Sequence, residues 1–189
     1  MEIMLKRKNK SPFVALFAFV LLFGAACAYG QKQKPQVSEQ RIYCEISYTN
    51  FAWGYQHRGL YVDPQGQLYS YQYKRGDKPW SPRSADSATE QELEEKYSHG
   101  RTLIRKIDLQ ELQEKYKLVE PASKGKMSKR LQRGADQGSS VTRCYLFEAA
   151  RERYKEVELK VEGDWSYENL APSAKKLAVW LASLQASVP

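Results

Sequence analysis

The chain has 189 residues, three cysteines and a formal net charge of +8. Residues 1–30 hold four basic residues and one acidic residue, so the remaining residues carry +5. That remainder is long enough for one domain with a substantial core. Its small positive charge argues against a nucleic-acid-binding protein, which carries a strongly basic surface.

The N-terminus has the three-part organisation of an export signal. A basic segment, residues 6–10, precedes the apolar run Phe13–Phe23 and a stretch of small residues, 24–30. This order is typical of a signal peptide. The apolar run is about half of the roughly 20 residues that a spanning helix needs. We therefore predict that residues 1–30 are a cleaved signal peptide. A retained membrane anchor is the alternative.

Cys27 leaves two processing routes open. Two small residues precede it, as in the signals of bacterial lipoproteins, but Gly24 stands where leucine is usual. In a lipoprotein this cysteine is acylated and becomes the first residue, and the polar stretch 31–40 is then a tether. Ordinary cleavage after Ala28 or Gly30 removes it. The expected location is the periplasm, the outer envelope or the extracellular space, with or without attachment to a membrane.

Both routes leave Cys44 and Cys144 as a pair. Two cysteines in an oxidising compartment normally form a disulfide, and this one would close a loop of about 100 residues. The chain-entropy relation gives an upper figure of roughly 4–5 kcal/mol for such a loop. Two buried free thiols are the alternative. Neither cysteine has a partner at the spacing of metal ligands, so no metal site and no cofactor is expected.

The sequence predicts a strand followed by a hairpin in the first half of the chain that remains after residues 1–40. Residues 41–50 alternate in polarity as a half-buried strand does. The turn 63–66, Asp-Pro-Gln-Gly, joins two further strands, 60–62 and 67–74, because proline and glycine occupy the positions that a type I turn favours. Side chains alternate along a strand, so the three tyrosines of the second strand share one face: Tyr69, Tyr71 and Tyr73.

Helices are predicted after this hairpin and at the C-terminus. Thr89 and Glu92 form a capping box, and Asp108 caps a second helix that runs to about Lys117. Residues 122–140 read as an irregular loop, 141–148 and 156–161 as a second hairpin, and Pro172 as the start of a final helix. We predict a single α+β domain, 41–186. Its antiparallel sheet is built from two hairpins, with two inserted helices and a C-terminal helix.

The loop 53–59 is the first candidate ligand site. It combines Trp53, Tyr55 and His57 with two glycines, and aromatic and imidazole groups on a loop are typical of a binding pocket. A connection that merely covers the core is the alternative.

The segment 134–140 is the second candidate. Its glycines, Asp136 and Ser139 suit a nest of backbone amides that binds an anion, although a tight turn is the alternative. The segment lacks the ending of a P-loop. Ser139, His57 and Asp136 are the right residue types for a hydrolase, but no nucleophile-elbow motif supports that assignment.

The tyrosine strand is the third candidate. If exposed, Tyr69, Tyr71 and Tyr73 would stack on sugars or pack on a protein; if buried, they belong to the core. Basic residues are densest between positions 124 and 133, where they would either meet an anionic lipid or polymer or form a solvated loop.

Three segments carry a resemblance to known proteins: Ala52–His57, Tyr61–Asp63, and Gly163–Trp165 with the terminal helix. Together they resemble a group of small exported bacterial proteins of unknown function, and the resemblance implies no activity. The leading hypothesis is a non-catalytic exported domain that binds a protein or a cell-envelope component. The alternatives are an envelope hydrolase using His57 with Asp136 or Ser139, and an inhibitor or immunity-type protein.

Overall fold

The computed structural model describes residues 41–187. The signal-peptide prediction, Cys27 and residues 31–40 lie outside the described residues. No helix within 41–187 is long and apolar enough to cross a membrane.

The described chain consists of a large antiparallel sheet and four helices. The strands are β1 (Ile42–Asn50), β2 (Gln56–Val62), β3 (Gln67–Gln72), β4 (Ser87–Ala88), β5 (Thr102–Lys106), β6 (Leu131–Gln132), β7 (Ser139–Glu148), β8 (Arg153–Gly163) and β9 (Trp165–Glu168). The helices are α1 (Glu90–Ser98), α2 (Leu109–Tyr116), α3 (Val119–Ser123) and α4 (Pro172–Ala186). The strand order is β5-β3-β2-β1-β7-β8-β9-β6, with β4 paired to β8. The prediction of an α+β fold is confirmed.

Local sequence signals set the turn and the helix starts. The N–H of Gly66 donates to the carbonyl of Asp63 (3.0 Å), which closes the predicted turn between β2 and β3. Thr89 and Glu92 form both halves of the capping box of α1. The Asp108 side chain caps α2. Each device satisfies backbone groups that would otherwise lack a partner, so these boundaries could be predicted from a few residues.

Several short elements lie where the sequence pattern predicts none. The predicted irregular loop 122–140 is wrong in part, because it contains the end of α3, strand β6 and the start of β7. Strands β5 and β9 also extend the sheet beyond the two predicted hairpins. Both residues of β6 and four of the five in β5 are exposed. Edge strands such as these are stabilised by pairing with a neighbouring strand rather than by an alternating apolar face. The polarity pattern of the sequence therefore does not predict them.

One face of the sheet packs against α2, α3 and α4. Its core holds aliphatic side chains of the strands together with Leu177, Leu181 and Leu184 of α4. The predicted disulfide lies in this core: Cys44 on β1 and Cys144 on β7 are in-register neighbours with a Cα–Cα distance of 4.0 Å. The disulfide prediction is confirmed, and the bond joins two strands that are 100 residues apart in sequence.

The opposite face is covered by α1 and consists mainly of tyrosine. Leu93 and Tyr97 of α1 pack on a cluster of tyrosines that lie in the strands or, for one of them, just after β3: Tyr43, Tyr61, Tyr71, Tyr73, Tyr145 and Tyr154. The rings of Tyr61 and Tyr97 stack with their centroids 3.9 Å apart. A core built from tyrosine carries hydroxyl groups that need hydrogen-bond partners, and these partners define the candidate site.

Candidate functional site

A buried ion pair occupies the centre of the tyrosine face. Glu45 of β1 and Lys96 of α1 are 0 % and 1 % exposed, and Lys96 Nζ lies 2.5 Å from Glu45 Oε1. Arg143 Nε lies 3.3 Å from the same oxygen but without hydrogen-bond geometry, while its Nη1 donates to Glu156 at 2.9 Å. Burying charges is costly unless they are paired and hydrogen-bonded, so the remaining lone pairs of Glu45 need donors.

Tyrosine hydroxyls supply those donors. Tyr97 and Tyr71 donate to Glu45 Oε2 at 3.0 and 3.3 Å. Tyr145 donates to Oε1 at 3.4 Å, and Lys96 Nζ donates to the Tyr145 hydroxyl at 3.2 Å. Three hydroxyls of the tyrosine face therefore satisfy the buried carboxylate, which explains why Tyr71, Tyr97 and Tyr145 are tyrosine rather than phenylalanine.

His57 extends this hydrogen-bonded group toward the surface. Its Nδ1 lies 2.8 Å from the Tyr55 hydroxyl and its Nε2 lies 3.1 Å from the Tyr71 hydroxyl. The Tyr71 hydroxyl donates to Glu45 Oε2, so at its contact with His57 it accepts from Nε2. Nδ1 then accepts from the Tyr55 hydroxyl, whose oxygen also accepts the backbone N–H of Trp80. The proton of the neutral ring is then on Nε2 and points to Tyr71. In this assignment each of these N–H and O–H groups donates one hydrogen bond.

The surroundings shift the pKa values of the three ionisable groups. Burial raises the pKa of Glu45, but Lys96 and Arg143 outweigh it and lower the value to about 2. Burial lowers the pKa of Lys96 to about 8 despite its carboxylate partner. Burial and the nearby charge of Lys96 lower the pKa of His57 to about 4, so the imidazole is neutral at pH 7.

An open cleft of about 820 Å³ lies over His57. We name it the aromatic cleft; it is lined by Trp53, Tyr55, His57 and Tyr73, with Arg58 and Arg75 among the other lining residues. His57 and Tyr73 are buried, whereas the Trp53 ring is 82 % exposed. The structure thus brings the three candidate residues, Trp53, Tyr55 and His57, to one concavity. The predicted loop 53–59 is wrong in part, because residues from Gln56 onward belong to β2.

Asp77, which lines the cleft, pairs with His99 beside it, and the sequence pattern indicated neither residue. His99 Nδ1 lies 3.0 Å from Asp77 Oδ2, and the His99 ring stacks on Tyr73 at 3.9 Å. The same Asp77 oxygen accepts the backbone N–H of Lys74 at 2.7 Å. The two residues are distant in sequence, so the only local signal was the Lys74–Asp77 turn.

The three tyrosines of the predicted strand 67–74 have different environments, and Tyr73 lies just beyond the end of β3. Tyr71 and Tyr73 are 1 % and 5 % exposed, so the core interpretation applies to them and the exposed-strip interpretation does not. Tyr69 is half-buried, with its ring 5.1 Å from Tyr61. Helix α1 covers this face of the sheet. The alternation of side chains along the strand could not predict that packing, because the helix comes later in the chain.

The loop around Asp136 does not offer a free anion nest. The backbone N–H of Gln137 donates to the carboxylate of Asp164 (2.9 Å), and the carbonyl of Asp136 accepts from the Asn50 side chain. Asp136 itself has a φ of 63°. The loop therefore binds one of the protein's own carboxylates and behaves as the tight turn that was the alternative.

The structure does not assemble His57 with Asp136 or Ser139. Ser139 on β7 and His57 on β2 both pair with Thr49 of β1. They lie two strand spacings apart, roughly 10 Å. Both ring nitrogens of His57 already contact tyrosine hydroxyls. Neither Asp136 nor Ser139 lines the aromatic cleft.

Comparisons with protein families, with characterised proteins and with solved structures find no significant match for this chain. The resemblance to small exported bacterial proteins therefore stays a prediction. The function has to be argued from the geometry of the described residues.

Proposed function

We propose that the protein is an exported, non-catalytic binding domain whose ligand occupies the aromatic cleft. The observation that carries the proposal is the lining of the cleft. Three aromatic side chains, Trp53, Tyr55 and Tyr73, line it together with two arginines and one carboxylate, Asp77, and the imidazole of His57 has both nitrogens engaged. The disulfide is compatible with export, because disulfides persist in oxidising compartments.

The lining selects the chemistry of the ligand. Arg58 and Arg75 are exposed, and neither has a carboxylate within 4 Å in the part of the chain described. Arginine binds carboxylates and phosphates in a fork geometry, and aromatic faces pack against the apolar faces of sugars. An anionic saccharide of the cell envelope meets both requirements.

The test is the affinity for anionic and neutral envelope oligosaccharides, measured by calorimetry. We expect binding of the anionic ligand only. Trp53→Ala and Arg75→Ala should each weaken it about tenfold, since each lost contact costs roughly 1–2 kcal/mol. Leu103→Ala and Arg105→Ala are matched controls, because both residues are exposed on β5. Unchanged affinity in both cleft variants would contradict the proposal.

A hydrolase is the second candidate, on a different histidine from the one that the sequence suggested. Asp77 holds Nδ1 of His99, and Nε2 has no hydrogen-bond partner among residues 41–187. A carboxylate that orients an imidazole in this way is typical of general-base sites. Glycosidic, ester and peptide substrates would be assayed with the wild type, His99→Gln and His57→Gln. Activity that His99→Gln alone abolishes would establish this candidate; no activity in the wild type would exclude it.

A further inference from the structure

A two-stranded ribbon at the far edge of the sheet carries a second surface. Residues 126–133 run antiparallel to 164–170: Leu131 is opposite Ser166, and the N–H of Leu170 donates to the carbonyl of Lys126 at 2.9 Å. Strand β6, within this ribbon, ends the strand order on that side. We call residues 126–133 together with 164–170 the basic ribbon. It shares no residue with the aromatic cleft.

The cations of the basic ribbon lack anionic partners. Four of them are exposed and have no carboxylate within 4 Å in the described chain: Lys126, Lys129, Arg130 and Arg133. By contrast, Lys124 outside the ribbon pairs with Glu120 at 2.8 Å. With Asp164 and Glu168 as its two carboxylates, the ribbon keeps a net formal charge of +2.

The acidic groups of the ribbon are already engaged. Asp164 accepts the N–H of Gln137, and Glu168 lies 3.7 Å from Lys175. Behind the ribbon, Glu158 forms a side-chain hydrogen bond with Tyr167 and is attracted to Arg130. None of these carboxylates pairs with Lys126, Lys129 or Arg133.

Apolar side chains are exposed on the same ribbon. Met127, Leu131 and Leu170 are 38 %, 42 % and 49 % exposed. The Arg130 guanidinium lies over the rings of Trp165 and Tyr167, at 4.7 and 5.3 Å from their centroids. Trp165 is opposite Gln132, so it lies on the other face of the ribbon from Leu131. Cations and exposed aliphatic groups thus occur together within a single two-stranded segment.

We propose that the basic ribbon binds the surface of a membrane that contains anionic phospholipid. Lysine and arginine side chains are attracted to the negative surface potential of such a membrane. Aliphatic side chains enter the boundary between headgroups and acyl chains. A soluble anionic polymer would neutralise the cations but would leave Met127, Leu131 and Leu170 in water. The combination therefore favours a bilayer over a soluble polyanion.

The experiment measures co-sedimentation of the exported, processed protein with two kinds of vesicle. One contains phosphatidylglycerol and phosphatidylcholine, the other phosphatidylcholine alone. An acyl chain or an apolar N-terminal segment would bind both kinds of vesicle. The quantity to compare is therefore the affinity for the phosphatidylglycerol vesicles divided by the affinity for the phosphatidylcholine vesicles. We expect a ratio of at least about ten that falls as salt is added. A ratio near one would overturn the proposal.

Two charge-reversed variants test the location of the surface. The triple change Lys126→Glu, Lys129→Glu and Arg133→Glu should bring the ratio close to one. The control triple, Lys106→Glu, Lys117→Glu and Lys176→Glu, alters net charge equally at exposed positions elsewhere and should retain most of the preference. Equal losses in both triples would mean that binding follows net charge and would overturn the assignment. Circular dichroism verifies that both triples are folded.

A third variant separates a bilayer from a soluble polyanion. Met127→Ser with Leu131→Ser keeps every charge, so we expect several-fold weaker vesicle binding with unchanged binding of soluble polyphosphate. Unchanged vesicle binding in this variant would show that the apolar residues do not enter the bilayer and would overturn the membrane assignment. Both outcomes are independent of ligand binding in the aromatic cleft.

Discussion

At the scale of single residues, the buried Glu45–Lys96 pair is the feature that the sequence did not reveal. Glu45 alternates with apolar residues in β1, and this pattern predicts that the charged side chain is exposed to solvent. Its burial depends on donors from β3, β7 and α1. Such a set of partners exists only after the chain has folded, so local pattern could predict the strand but not the environment of its glutamate.

Removing one member of the pair should destabilise the protein strongly. Glu45→Gln and Lys96→Met should each lower the free energy of unfolding by about 3–5 kcal/mol, because each leaves the other charge buried without its partner. The double variant should lose less than the sum of the two. Urea denaturation of the three variants gives this coupling energy. Additive losses would show that Glu45 and Lys96 do not stabilise each other.

His57 makes the stability of the fold depend on pH. Burial lowers its pKa to about 4 in the folded protein, against 6.5 for an unperturbed histidine, so the unfolded chain binds more protons between these values. The contribution of the neutral ring is therefore complete above about pH 6.5 and is lost as the pH falls toward 4, by up to about 3 kcal/mol. Glu45, with a pKa of about 2 against 4.5, adds a further loss below pH 4.5.

Denaturation curves at several pH values measure this dependence. The slope of stability against pH between 4 and 6.5 should be shallower in His57→Gln than in the wild type, whatever the stability of the variant itself. Identical slopes in the two proteins would contradict the neutral, buried state of His57.

At the scale of elements, prediction succeeded where the determinants are local or covalent. The turn at Gly66 and the caps at Thr89 and Asp108 each depend on a few adjacent residues. The disulfide followed from the number of cysteines. Strands β5, β6 and β9 were missed because their stability comes from neighbours in the sheet. Of the candidate site, Trp53, Tyr55 and His57 were found, although His57 lies in β2 and not in a loop, whereas His99 and Asp77 were not found.

Cross-linking of β1 to β7 should contribute measurably to stability. Changing both cysteines, Cys44→Ala with Cys144→Ala, should lower the free energy of unfolding by about 2–5 kcal/mol, since the unfolded chain is then free of a long closed loop. Reducing agent should have a similar effect on the wild type and none on the variant. A variant as stable as the oxidised wild type would show that the bond is energetically neutral.

At the scale of the whole molecule, the two faces of the sheet differ in chemistry. The face under α2, α3 and α4 is aliphatic and contains the disulfide, whereas the face under α1 is a tyrosine layer around a buried ion pair. The aromatic cleft lies over the tyrosine face, and the basic ribbon lies at the edge beyond β9. We infer that the aliphatic face stabilises the fold, while the cleft and the ribbon bind separate partners of the cell envelope.

The most direct test of this account is a chemical-shift map of the protein titrated with an anionic envelope oligosaccharide. The account predicts saturable shifts of the Trp53 indole and of the backbone around Tyr73 and Arg75. It also predicts that signals from residues 126–133 stay in place. Saturable shifts confined to residues outside the aromatic cleft, or no shifts at all, would contradict it.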